Sequence, residues 1–218
     1  MDIESLLHAP SAAVVIGGTV FATFLRCGAE SSRLSLAAVA RLCRRRFDAE
    51  RARAELAVQV REIQSEGLFR AHPRHFGDSE FDEATDALIG QRSIAALVSA
   101  HEAHKARRIE ADNRATATLS QAAELAPVFG MVGTMVSLSQ LPAGGAAMEV
   151  WSGAISMAVL STLYGLLLAN LLLAPLARIL HRAALREEAE RQQVVDWLTA
   201  QVTRGISRSA FGRLDEAA

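Results

Sequence analysis

Thr134, Ser161 and Thr162 carry three hydroxyls inside stretches that contain no Asp, Glu, Lys, Arg or His. Oxygen-rich side chains in an otherwise apolar run have two uses. They can replace part of the hydration shell of a passing cation. They can also bond back to the carbonyl one turn earlier and let helices approach closely. Gly130, Gly133, Gly153 and Gly165 lie near the hydroxyls in the sequence and suit close helix packing, so both uses remain open for each hydroxyl. A proton or sodium relay also needs a group at bilayer depth that binds and releases the cation, usually a carboxylate. None of the apolar stretches supplies one, and Asn170, the most polar alternative, is neutral. A chain of this kind conducts ions only with a partner that brings the acid.

The elements that hold these residues follow from charge segregation. Half of the chain is apolar although 22% of its residues are charged, a combination that puts it in the membrane class. Three stretches are free of charge. The first is 6–25; the other two form a hairpin over 125–176, divided by a Pro/Gly-containing loop. Each is about 20 residues long, enough to cross a bilayer as a helix. Asp2 and Glu4 precede the first stretch, while Arg26, Arg33, Arg41 and Arg44 to Arg46 follow it. That order is the reverse of a cleaved signal peptide. It places the N-terminus outside and the following region in the cytoplasm. The loop after Pro142 lacks Lys and Arg and falls outside, and Arg178, Arg182 and Arg186 keep the tail inside. The expectation is an all-α, polytopic membrane protein of three spans, with a helical cytoplasmic insertion over 26–124 and a helical tail over 177–218.

Within the insertion, Leu34 to about Ser65 reads as helix, with Leu56, Val60 and Ile63 at helical spacing. Gly67, Pro73 and Gly77 break it. Ser79 is the expected N-cap of a further helix, with Glu80, Asp82 and Glu83 in its first turn. No strong stop precedes Pro127, so that helix is expected to run on into the membrane with a local kink at the proline. The tail is expected to stay helical to about Thr203 and to fray beyond Gly205. Cys27 and Cys43 fall on the cytoplasmic side, where a disulfide is not expected. His101, Glu102 and His104 lack the spacing of a zinc-protease helix and read as a solvated face. His72 and His75 read as loop residues. No phosphate-cradling loop, nucleophile elbow or metal site is found, and the near-neutral net charge does not suggest nucleic acid. The chain is not expected to be an enzyme or to hold a cofactor beyond a transported sodium ion or proton.

The stretches Leu125-Ala-Pro-Val-Phe-Gly-Met-Val-Gly-Thr134 and Ala158-Val-Leu-Ser-Thr-Leu-Tyr-Gly-Leu-Leu-Leu-Ala-Asn170, with Pro175 at the exit, resemble the third and fourth spans of flagellar stator A subunits of the MotA and PomA type. The segment Ala9-Pro-Ser-Ala-Ala-Val-Val-Ile-Gly-Gly-Thr-Val-Phe-Ala-Thr23 is similar to their second span. The resemblance implies membership of the MotA/TolQ/ExbB ion-channel superfamily. It also implies a bacterial inner-membrane location, a ring of A-type copies (a pentamer), and a single-span B-type partner with a membrane aspartate and a peptidoglycan-binding domain. By the same resemblance Thr134, Ser161 and Thr162 match sodium-type oxygen positions, and Pro127 and Pro175 flank the channel and couple ion passage to helix movement. Glu124 would keep a carboxylate at the inner mouth. The family's first span has no counterpart, which gives the three-span topology of the TolQ and ExbB branch. Where stators place a basic and an acidic rotor contact, Gln64 and His72 stand instead, with Glu66, Arg70 and Arg74 as possible substitutes. The resemblance implies a stator subunit that turns a flagellar rotor or a TolQ/ExbB-like subunit driving a periplasm-spanning partner; apart from it, a non-conducting membrane scaffold whose hydroxyls only pack helices is the third reading.

Overall fold

Apolar residues at 3.6-residue spacing, with few breakers, make every regular element helical among the residues described by the computed structural model. These are 9–42, 47–66, 77–141 and 148–215 for the backbone; the side chains of 66 and of 206–215 and those ahead of 11 fall outside the description. The helices are α1 (Ala9–Leu42), α2 (Ala49–Glu66), α3 (Ser79–Gln91), α4 (Ile94–Ser139), α5 (Met148–Leu167), a π-helical turn (Leu168–Leu173) and α6 (Ala174–Asp215). Three of the continuous helical runs are long and apolar enough to cross a membrane: Ser11–Leu42, Ile94–Ser139 and Met148–Gly205. The all-α, three-span architecture expected from charge segregation is therefore present.

Several boundaries differ from the sequence expectation, each for a local reason. The helix anticipated from Leu34 to Ser65 is divided, because α1 ends at Leu42 and α2 begins at Ala49. Asp48 starts the second piece: its Oδ1 accepts from the N–H groups of Glu50 and Arg51, each at 3.1 Å, which satisfies two donors left open at a helix N-terminus. Within α1, Gly28 sits at φ 81°, ψ 167°, a conformation open essentially to glycine alone, so α1 is two helical pieces joined there. The N-cap of α3 is Asp78, one residue before the expected Ser79; its side chain accepts from Glu80 N–H. The helix does not run unbroken to Pro127. Arg92 adopts the left-handed conformation (φ 53°, ψ 35°) and its N–H returns to Leu88 O, closing α3. Ser93 O then accepts from Ala96 and Leu97 N–H to begin α4. Helical structure in the tail reaches Asp215, beyond the expected end near Thr203.

Contacts divide the chain into two units. The first comprises residues 1–44 and 111–182, and the second 45–110 and 183–218. In the first, small residues bring α1, α4 and α5 together, and Ala38, Ala115, Leu119, Ala177 and Leu180 close an apolar cluster beside the end of α1. The second has a fuller core. Leu56, Val60 and Ile63 of α2 meet Phe81, Ala84 and Leu88 of α3, Leu97 of α4, and Val194, Val195, Leu198 and Val202 of α6. The helical periodicity at Leu56, Val60 and Ile63 thus marks a buried stripe. His101, expected on a solvated face, is buried at 4% exposure. His104 bonds Glu83 at 2.7 Å. The polar run around them had suggested solvent, but one turn earlier Leu97 already faces the core.

Candidate functional site

The uncharged hairpin closes on its glycines. A Cβ placed on Gly165 would lie 2.7 Å from Ala126 O and 3.0 Å from Gly130 Cα. One on Gly130 would lie 3.1 Å from Ser161 O and 3.3 Å from Thr162 Cα. One on Gly133 would lie 2.8 Å from Ser161 Cβ and 2.9 Å from its Oγ, with Val15 of α1 at 3.9 Å. Distances below about 3.0 Å leave no room for a side chain and those up to about 3.4 Å leave little, so α4 and α5 touch backbone to backbone at Gly130 and Gly165, as small residues permit between membrane helices. Gly18 of α1 instead seats a side chain, the Phe129 ring, which an added Cβ would strike. Gly153, by contrast, has open space around it.

These contacts set Gly133 level with Ser161, and Gly130 level with Thr162. The three candidate hydroxyls are not equivalent in this frame. Ser161 is 1% exposed and donates to Met157 O at 2.8 Å, with Gly133 packed directly on it. Thr162 is half-buried and its Oγ1 donates weakly to Ala158 O at 3.4 Å. Thr134 is also half-buried and its Oγ1 donates to Met131 O at 2.6 Å. In each case the proton goes back into the residue's own helix. A hydroxyl accepts through two lone pairs, and those of the two half-buried threonines remain available to an ion or water. Hydroxyls elsewhere in the same unit behave alike: those of Thr19, Thr23, Ser35, Thr118 and Ser137 are buried and bond one turn back, to Val15 O, Thr19 O, Ser31 O, Arg114 O and Gly133 O. Asn170 is exposed, and its amide donates to Leu166 O at 3.1 Å.

The two prolines occupy distinct settings. Pro127 lies inside the continuous α4, and its Cα would be 3.2 Å from a Cβ on Gly165. Without an N–H it leaves Ala123 O without its helical donor. Pro175 follows the π-helical turn Leu168–Leu173, in which Ala174 N–H reaches Ala169 O, five residues back. Only the proline itself, which removes the next donor, marks that turn in the sequence. Glu124 is exposed. Cys27 donates to Gln121 Oε1 at 3.1 Å. Glu66 ends α2; its side chain, together with Arg70, Arg74, His72, His75 and Cys43, lies outside the described residues. Gln64, expected in place of a stator's basic rotor contact, is half-buried and its Nε2 lies 3.4 Å from Gln201 Oε1.

Comparison with known proteins agrees with this geometry. Residues 72–193 match the MotA/TolQ/ExbB proton channel family. Motility protein A of Cereibacter sphaeroides is 25% identical over 172 residues, covering 78% of this chain and 66% of that protein. The uncharacterized protein YtxD of Bacillus subtilis (strain 168) is 33% identical over 112 residues, covering 51% of this chain and 35% of that protein. The chain thus spans less than two thirds of either curated relative. Among solved structures, C. jejuni MotAB matches with a TM-score of 0.80 at 15% identity, covering 94% of this chain and 81% of that one. The flagellar MotAB stator complex from Bacillus subtilis matches with a TM-score of 0.77 at 18% identity, over 100% of this chain and 91% of that one. At such identities the similarity is one of fold.

Proposed function

Because the chain belongs to the MotA/TolQ/ExbB proton channel family, we propose that it is the ion-path subunit of a cation-driven membrane motor of the stator type. Several copies, five by family resemblance, would surround a single-span B-type partner in the bacterial inner membrane, with the N-terminus outside and the C-terminus in the cytoplasm. The observation that carries this reading is the lack of Asp, Glu, Lys, Arg and His in 9–25, 125–148 and 150–173, combined with half-buried hydroxyls on the α4–α5 hairpin. A relay needs a carboxylate that gains and loses the cation, and the partner supplies it. Thr134 and Thr162 then offer oxygens along the path, while Ser161 serves chiefly to seat Gly133. Oxygen ligands of this kind favour sodium over protons. Pro127 and Pro175 free carbonyls and soften the two helices that must respond.

The direct test is purification of the tagged chain from its native membrane. A single-span protein with a membrane aspartate should accompany it. An oligomer of the chain alone, with no such protein, would leave the scaffold reading standing in its place. A second output, a TolQ/ExbB-like pull on a periplasm-spanning partner, is favoured by one observation: Gln64 is engaged with Gln201 and is not presented as a charged rotor contact.

A further inference from the structure

The two helices that carry the candidate path both run on into the second unit and meet one carboxylate there. On α4, Arg108 lies 19 residues before Pro127. On α6, Arg191 lies 16 residues after Pro175. Glu80, in the first turn of α3, accepts through the same Oε2 from Arg108 Nη1 and, at 3.3 Å, from Arg191 Nη1. The side chains of Arg108 and Arg191 are 13% and 11% exposed, and that of Glu80 23%. By comparison Arg51 and Glu55, a surface pair on α2, are 71% and 33% exposed. Water screens the Glu80 junction far less than such a surface pair, and a planar guanidinium holds its acceptors in fixed directions.

We infer that Glu80 is a positioning residue that ties the two path helices together and passes their displacement to α3, the joint between ion passage and mechanical output. The inference rests on the motor reading above. Each arginine is independently anchored, which makes the joint separable from the fold. Arg108 also forks onto Glu188 Oε2, with Nε at 3.2 Å and Nη2 at 2.9 Å. Arg191 also reaches Asp78 at 3.0 Å and Glu187 at 3.1 Å, and lies 4.3 Å over the Phe47 ring. Loss of the Glu80 charge therefore strands no buried guanidinium, the situation that makes a broken buried pair so destabilising. The N-cap from Asp78 is also kept.

The test is Glu80→Gln in the full chain, expressed with its partner in the native host. Ion flux into membrane vesicles, co-purification of the partner and swimming speed are measured together. Flux and co-purification should match the unsubstituted protein while swimming falls by at least about five-fold, the lower bound of a typical coupling energy. Glu80→Asp, which keeps the charge, should recover part of the speed. Normal swimming in Glu80→Gln overturns the joint alone, as does a loss of flux in proportion to speed, which would make Glu80 only a support of the channel. An unsubstituted complex that carries no ions overturns the motor reading, and the joint with it.

Discussion

Ser161 and Thr162 are neighbours in the chain with opposite fates. One residue along an α-helix is a rotation of about 100°, which turns Ser161 inward against Gly133 and leaves Thr162 half-open. Ser161→Ala should therefore preserve ion flux and reduce stability by only about 1 kcal/mol, the net value of a satisfied hydrogen bond. Thr134→Ala and Thr162→Ala should abolish flux without preventing assembly, because each removes an oxygen from a confined path. Vesicle flux and size-exclusion profiles of the three variants decide this, and normal flux in both threonine variants would place the path elsewhere. Gly165→Ala should lower thermal stability in detergent by about 1–3 kcal/mol, the usual range for overpacking, since its Cβ would press on Ala126 O. Gly153→Ala, in open space, serves as the neutral control. The hydroxyls and glycines of this site were visible as residue types. Which of them face inward was not, because that depends on the face α1 covers, and no pairwise spacing within 125–176 encodes it.

At the level of elements, Asp78 has two tasks. It caps α3 through one oxygen and holds Arg191 through the other. Asp78→Ala should accordingly exceed the ~1 kcal/mol of an ordinary lost cap, and Asp78→Asn, which can still cap, should recover that share; thermal melts of the two variants separate the contributions. If both variants melt alike, the cap contributes nothing. The helices themselves were legible where packing and periodicity agree, as at Leu56, Val60 and Ile63, all of which are buried in the second core. They were misread where a stop takes an unusual residue. Left-handed C-terminal positions favour glycine, so Arg92 in that conformation leaves no compositional trace. Gly28 is the converse, a glycine between the first uncharged stretch and the helix expected from Leu34, whose φ of 81° is revealed only by the fold. Asp48 and Asp78 were available as capping residues. Asp48 leaves little trace in the sequence because the arginines before it and the alanines after it extend the helical pattern, and Ser79 beside Asp78 is an equally good capping residue.

For the molecule as a whole, the uncharged spans predict dependence on a second protein and on an external cation. Output measured in sodium-free medium should fall if sodium is the coupling ion, and unchanged output there would identify the proton instead. The π-helical turn Leu168–Leu173 bears on a different property, the tolerance of the chain to changes in length. A π turn holds one residue more than the α turn it replaces, so it absorbs about 100° of rotation that an uninterrupted helix would pass on. Arg191 and Val194 keep their headings because that surplus is taken up before α6 begins. Deleting one residue within Leu168–Leu173 should heal the helix and leave both flanking faces in phase. The same deletion between Pro175 and Arg191 would swing the whole core stripe of α6 off its partners.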